Sequence, residues 1–262
     1  KVGDWVAVMP YLSCGTCATC IAGKTNCCQH MQVFGVHVDG GMREVVTLPT
    51  DFLLKVEGLS PKAVALIEPL AIGQHALMRA NVSETDSVVV MGCGPIGMGL
   101  IKLAAHLGAQ VVALDSNADR IAYAKNKLGV SQAYQVGADN LAQCKAHFDG
   151  NLATVVFDAT GNQQAMETGH QFMRHGGQYV LVGLFKGDLR FSHPVIHTKE
   201  TSLLCSRNAT REDFLDVIQY LKSGGFPVSE YITHCIPFDH VPEEIKHLTH
   251  PAQGVLKAMI HF

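Results

Sequence analysis

The stretch "VVVMGCGPIG", residues 88–97, limits the fold more than any other part of the chain. An apolar run meets three glycines, Gly92, Gly94 and Gly97, and continues directly into the helix-like "PIGMGLIKLAAHLG". In that context the three glycines serve different ends: a tight turn, a close approach of backbone to a ligand, and close packing of helix on strand. The alternation then repeats. "QVVALD" is predicted as a strand, "NADRIAYAKNKLG" as a helix ending at Gly129, and "ATVVFDATG" and "GQYVLVGL" as buried strands with a helix between them over about 163–174. "TSLLCS" is the last strand of the series. Val-rich strands without polar alternation, separated by helices, predict an α/β doubly wound parallel sheet covered on both faces.

A strand–glycine turn–helix of this kind presents free N–H groups and the positive end of the helix dipole to an anion. A pyrophosphate is the expected ligand, with the backbone around Gly94 closest to it. The following strand ends at Asp115, eighteen residues past Gly97. A carboxylate there accepts hydrogen bonds from ribose hydroxyls and repels a 2′-phosphate, so NAD is expected rather than NADP. Arg120 admits two readings: it neutralises a phosphate, or it is a solvated arginine on the helix face.

Upstream lies a second constraint, "CGTCATCIAGKTNCC", which holds five of the nine cysteines. Cys14, Cys17, Cys20 and Cys28 have the two-residue gaps and the longer return that let four thiolates converge on one tetrahedral ion. Four sulfur ligands leave no open position, so the expected zinc is structural. An iron–sulfur run closes with a three-residue gap and a Pro, unlike the seven-residue gap here. Cys27 is the alternative fourth ligand; the spacing favours Cys28.

Around the cysteines, "DWVAVMP", "QVFGVHV", "MREVVTLP" and "DFLLKV" predict a small β-rich unit. "SPKAVALIEPLAIGQHALMRA" has helical spacing, with Ser60 as cap and Pro61 in the first turn. "REDFLDVIQYLKSG" is predicted as a helix, and the chain end returns to β-flavoured sequence. His193 and His197 are expected in a loop, His75 is expected to pack on its helix or else to face the cleft, and Cys93, Cys144, Cys205 and Cys235 are expected as small buried residues. A net charge of -3 gives no basic patch for nucleic acid or an anionic membrane. No apolar run approaches the roughly 20 residues of a membrane span. The chain opens on Lys1 without an initiator Met or secretory leader, which suggests a sequence truncated at its N-terminus and a cytoplasmic protein.

The four-cysteine loop, then "EPLA", then "GCGPIG" and a strand-terminal Asp, in that order, resemble the zinc-dependent medium-chain alcohol and polyol dehydrogenases. "LIEPLAIGQHAL", "RHGGQYVLVGLFKGDLRFSHP" and "KETSLLCSRNATREDF" resemble its L-galactonate oxidoreductase branch, related to sorbitol and threonine dehydrogenases. The resemblance implies a partial GroES-like catalytic domain over residues 1–72, a Rossmann domain over 73–206, and a return to the catalytic domain over 207–262. It implies hydride transfer from a secondary alcohol of a sugar acid or polyol to NAD, in a homodimer or homotetramer. A second, catalytic zinc is implied, with Glu68 at that metal. Other ligands of that zinc come, in the family, from upstream of residues 3–6, so the chain by itself is expected to lack that site and to be inactive. Ile96, Thr160, Gly161, Val182, Gly183 and Leu184 match cofactor-lining positions. Arg207 matches an arginine near substrate and nicotinamide, and is alternatively a structural salt-bridge partner. An NAD-binding protein without turnover is the rival reading.

Overall fold

The computed structural model describes residues 1–250 and 253–262. The chain divides into two compact units, Lys1–Gln74 with Arg207–Phe262, and His75–Ser206.

The second unit is organised by a six-stranded sheet. In chain order its strands are Ser87–Met91, Gln110–Asp115, Ala133–Gln135, Ala153–Asp158, Met173–Leu181 and Ser202–Cys205. Every neighbouring pair is parallel. In space the order runs sixth, fifth, fourth, first, second, third, so the winding reverses between the first and fourth strands. Ligands of such sheets sit outside the carboxyl ends of the strands at that reversal. The unbroken Val runs follow from burial on both faces: Val88, Val89, Val90, Val112 and Val156 are all fully buried. The helix Pro95–His106 covers one face with buried Met98, Leu100, Ile101 and Leu103. Each such side chain contributes about 1.5–3 kcal/mol through burial. Helix Ala118–Leu128 starts on Asn117, whose side chain accepts from the N–H groups of Asp119 and Arg120, and stops at left-handed Gly129.

Several expectations change. The helix expected over 163–174 ends at Thr168; a 3-10 turn, Gly169–Phe172, follows, and strand begins at Met173. Lys199 Nζ takes the carbonyls of His170, Gln171 and Met173 at 3.0, 3.2 and 2.6 Å, holding the turn in place. Gly169 also lies against the sheet: a Cβ there would stand 2.6 Å from both Met91 Sδ and the Tyr179 hydroxyl. His193 and His197 lie in a helix, His193–Thr198, and not in a loop. Cys205 and Cys235 are exposed, unlike buried Cys93 and Cys144. Strand Ala133–Gln135 and helix Asn140–His147 escape sequence reading because the first has three residues and the second buries only Asn140 and Cys144.

The first unit carries three two-stranded pairings among the described residues. Val6–Val8 pairs antiparallel with Leu53–Lys55, Tyr11–Leu12 antiparallel with Gln32–Val33, and His234–Pro237 parallel with Ala258–His261. The expected strand in "MREVVTLP" does not form, and Val45 is 80% exposed. A strand is held by a neighbour's N–H and C=O groups, and none of the described strands lies beside it. The continuous helix expected from Pro61 is two helices, Pro61–Ala65 and Ile67–Arg79. Pro69 has no N–H for the Ala65 carbonyl, and its ring crowds that oxygen. Helix Arg211–Lys222 starts on a Thr210–Asp213 capping box and buries Phe214, Val217, Ile218 and Leu221.

Candidate functional site

Four thiols of the first unit face one point. Cys14, Cys17, Cys20 and Cys28 place their sulfurs within 4.8 Å of one another. The Cys17–Cys20, Cys14–Cys28 and Cys17–Cys28 separations are 3.5, 3.6 and 3.9 Å. A tetrahedron with Zn–S bonds of about 2.3 Å has edges of about 3.8 Å, whereas a disulfide closes to about 2.05 Å. The donor set therefore fits a tetrahedral ion. Backbone N–H groups of Cys17, Cys14 and His30 point at the sulfurs of Cys14, Cys28 and Cys28 at 3.4, 3.3 and 3.3 Å, which favours thiolate. The Cys17 thiol is held down to about 5, chiefly by the Thr19 hydroxyl, while burial pushes Cys20 up to about 12. Cys27 is exposed and outside the cluster. The neighbouring Asn26 is buried; its side-chain amide donates to the Arg207 carbonyl at 3.1 Å, and Asn208 donates back to the Asn26 carbonyl at 3.2 Å.

In the second unit the three turn glycines differ in what surrounds them. Gly92 has φ +96°, and a Cβ would meet the Ala159 carbonyl group at 3.0 Å. At Gly97 a Cβ would fall 1.8 Å from the Gly92 oxygen, so helix and turn touch with no room for a methyl group. At Gly94 the nearest atom is Arg120 Nη1 at 3.9 Å. Gly94 is thus bare on its outer side, at the N-terminus of Pro95–His106, with no side chain capping that helix. That surface suits a pyrophosphate. Ile96 is half-buried in the same turn.

Asp115 sits at the end of the adjacent strand, 6% exposed. Its Oδ2 accepts from Cys93 N–H at 2.6 Å and its Oδ1 from Asn117 N–H at 2.7 Å. Each oxygen keeps a second lone pair, enough for ribose hydroxyls. The Arg120 guanidinium lies 3.8 Å from Oδ2, over the turn rather than free on the helix face. Across the winding reversal, Asp158 is fully buried and burial pushes its carboxyl up. It accepts from the Thr160 hydroxyl and N–H at 2.9 and 3.0 Å, and its carbonyl accepts from Val182 and Gly183 N–H at 2.8 Å each. A Cβ on Gly183 would lie 2.4 Å from Gly161 N, and one on Gly161 would lie 2.9 Å from the Leu184 carbonyl oxygen. Thr160–Gly161 and Val182–Leu184 are therefore clasped into one rim at the carboxyl ends of two strands, with Leu184 82% exposed.

Glu68 is the second residue of helix Ile67–Arg79 and is half-buried. Its Oε1 accepts from the Tyr11 hydroxyl at 2.6 Å. Arg207 has an exposed side chain and forms no ion pair among the described residues. Sequence reading missed Tyr11, Asn26, Asn208 and Asp158. Tyr11 meets Glu68 across 57 residues and Asn26 meets Arg207 across 181, separations for which local patterns carry no signal. An acidic residue closing a buried strand was the available sign for Asp158. Among the described residues the four cysteines are the sole group of three or more candidate ligands close enough to share a metal.

Comparison with known proteins agrees with this layout. The family described as zinc-binding dehydrogenase matches residues 95–223, and the alcohol dehydrogenase GroES-like domain matches residues 1–58. L-galactonate-5-dehydrogenase of Escherichia coli (strain K12) is 42% identical over 262 residues, covering 100% of this chain and 77% of the relative. A solved structure described as a short chain alcohol dehydrogenase (rspB) from E. coli CFT073, complexed with NADH, superposes with a TM-score of 0.91 at 29% identity, over 100% of this chain and 77% of that one. L-idonate 5-dehydrogenase from E. coli K-12 MG1655 gives 0.87 at 25% identity, over 99% and 76%. With the thiol cluster, the glycine turn and the strand order all in one polypeptide, this chain belongs to the zinc-type alcohol dehydrogenase family.

Proposed function

We propose that the chain is an oxidoreductase that passes a hydride from a secondary alcohol of a sugar acid or polyol, of the L-galactonate kind, to NAD. The observation that carries this reading is the bare backbone at Gly94 beside the buried Asp115 carboxylate. Bound NAD supplies the hydride acceptor. The protein's own part is binding and alignment. N–H groups of the turn around Gly94, Ile96 and Gly97 hold the pyrophosphate, and Asp115 grips the adenine ribose with Arg120 beside it. The rim of Thr160, Gly161, Val182, Gly183 and Leu184 lies along the nicotinamide half. Glu68 is assigned to the reacting end of the substrate, and Arg207 to its carboxylate, which a guanidinium fork binds in two places.

Cys14, Cys17, Cys20 and Cys28 hold a structural zinc that braces their loop; it takes no part in the hydride step, since four sulfurs leave no vacant position. The enzyme works in a reducing compartment, the cytoplasm, as a homodimer or homotetramer. The open edge strand Ser202–Cys205, with Leu203 44% exposed, supports self-association.

Calorimetry with NAD and NADP tests the cofactor assignment, with NAD expected to bind at least tenfold tighter. Turnover is followed by absorbance of the reduced cofactor, on this chain and on a version extended to the length of the E. coli relative. Sugar acids, polyols and threonine are compared as substrates. Absence of NAD uptake by a folded chain overturns the reading; turnover of threonine alone overturns the substrate class.

A further inference from the structure

Glu68 is held from a direction that the functional reading leaves unused. Tyr11 lies in the strand Tyr11–Leu12, fixed by its pairing to Gln32–Val33 and by the zinc loop that opens three residues later at Cys14. Its ring is 6% exposed and stands edge-on to buried Phe214, centroids 6.2 Å apart at 77°. The hydroxyl reaches Glu68 Oε1 at 2.6 Å. Tyr11 is buried, so its hydroxyl is held at that carboxylate and away from bulk solvent. A glutamate has three side-chain torsions and, half-exposed, would otherwise sample several rotamers. The Tyr11 hydroxyl ties one oxygen of the carboxylate. A carboxylate has about four acceptor positions, so the group stays able to meet a ligand.

We propose that Tyr11 is a positioning residue: its hydroxyl fixes the rotamer of Glu68, so that the carboxylate meets the reacting end of the substrate in one orientation. This rests on the assignment of Glu68 to that end. A hydrogen bond to a charged group of this kind is worth about tenfold or more in the step that depends on it.

The test uses Tyr11→Phe, Glu68→Gln, the double variant and Glu68→Asp. The Glu68 carboxylate stretch is identified in the infrared as the band lost in Glu68→Gln. Tyr11→Phe keeps the ring and its packing on Phe214, and is expected to shift that band while leaving NAD affinity unchanged. In turnover on the extended enzyme it lowers kcat about tenfold with KM for NAD unmoved. The double variant is expected to be no worse than Glu68→Gln alone. Glu68→Asp withdraws the carboxylate by one methylene, breaks the same bond from the other side, and should show the same kcat loss even if Tyr11→Phe folds poorly. An unshifted band in a folded Tyr11→Phe, or losses that add in full in the double variant, overturns the positioning role alone. Full turnover by Glu68→Gln overturns the assignment of Glu68 and this inference with it.

Discussion

At the glycine turn, a single methyl group separates two outcomes. Gly97→Ala places a carbon 1.8 Å from the Gly92 oxygen, so helix and strand must part. Overpacking of that kind costs about 3 kcal/mol, and thermal unfolding should show a fall in Tm together with loss of NAD uptake. Gly94→Ala finds its nearest atom at 3.9 Å. It should melt close to the parent yet bind NAD at least tenfold more weakly, since the added carbon occupies ligand space. Equal behaviour of the two variants would contradict the division of roles. His170 offers a second residue-level test. It is 5% exposed, packs edge-on to Phe191 and tilted against Tyr179, and leaves Nδ1 without a partner. Burial, then the Lys199 charge, pull its pKa below the ordinary 6.5. The unfolded chain therefore takes up a proton that the folded one refuses, and stability declines as pH falls through about 6.5, levelling below the folded value. Urea midpoints measured from pH 7.5 to 5 should decline less steeply in His170→Phe than in the parent.

Among the elements, the metal loop is tied by the Asn26 and Asn208 side chains and the turn before Met173 by Lys199. Asn26→Ala frees the Arg207 carbonyl and leaves the loop tied only through the Asn208 amide, which donates to the main-chain carbonyl of residue 26. It should cost about 1–2 kcal/mol and speed release of zinc to a chromogenic chelator. Lys199→Met strips three carbonyls of their donor at the Gly169–Phe172 turn. A loss of about 2 kcal/mol in urea unfolding is expected. Elements with dense local signals were legible beforehand. Ser87–Met91, Gln110–Asp115 and Ala118–Leu128 combine a strong apolar pattern with a turn glycine or an Asn cap. Where strand pairing or a distant donor decides, local pattern misleads. "MREVVTLP" has the right residues for a strand and no partner among the described strands, and the turn that follows the helix after Asn162 is held by a lysine 26–29 residues away.

For the molecule as a whole, the thiol cluster belongs to one unit and the glycine turn to the other. Zinc removal should therefore act unequally. A strong chelator is expected to lower the melting of the unit formed by Lys1–Gln74 and Arg207–Phe262, since metal binding is there a part of folding free energy. NAD titration of the chelated chain should be nearly unaltered; parallel loss of both would show that the units do not fold separately. Elemental analysis before chelation should return one zinc per chain. The chemistry of the two best-marked features was written in short windows: cysteines spaced to converge on an ion, and glycines spaced to bare a helix end. Such windows suffice because turn geometry and helix polarity are local properties of the backbone. Which carboxylate is tied by which hydroxyl was not local. Tyr11 reaches Glu68, and Asn26 reaches Arg207, only after the chain has folded back across 57 and 181 residues, and burial then decides the strength of each bond.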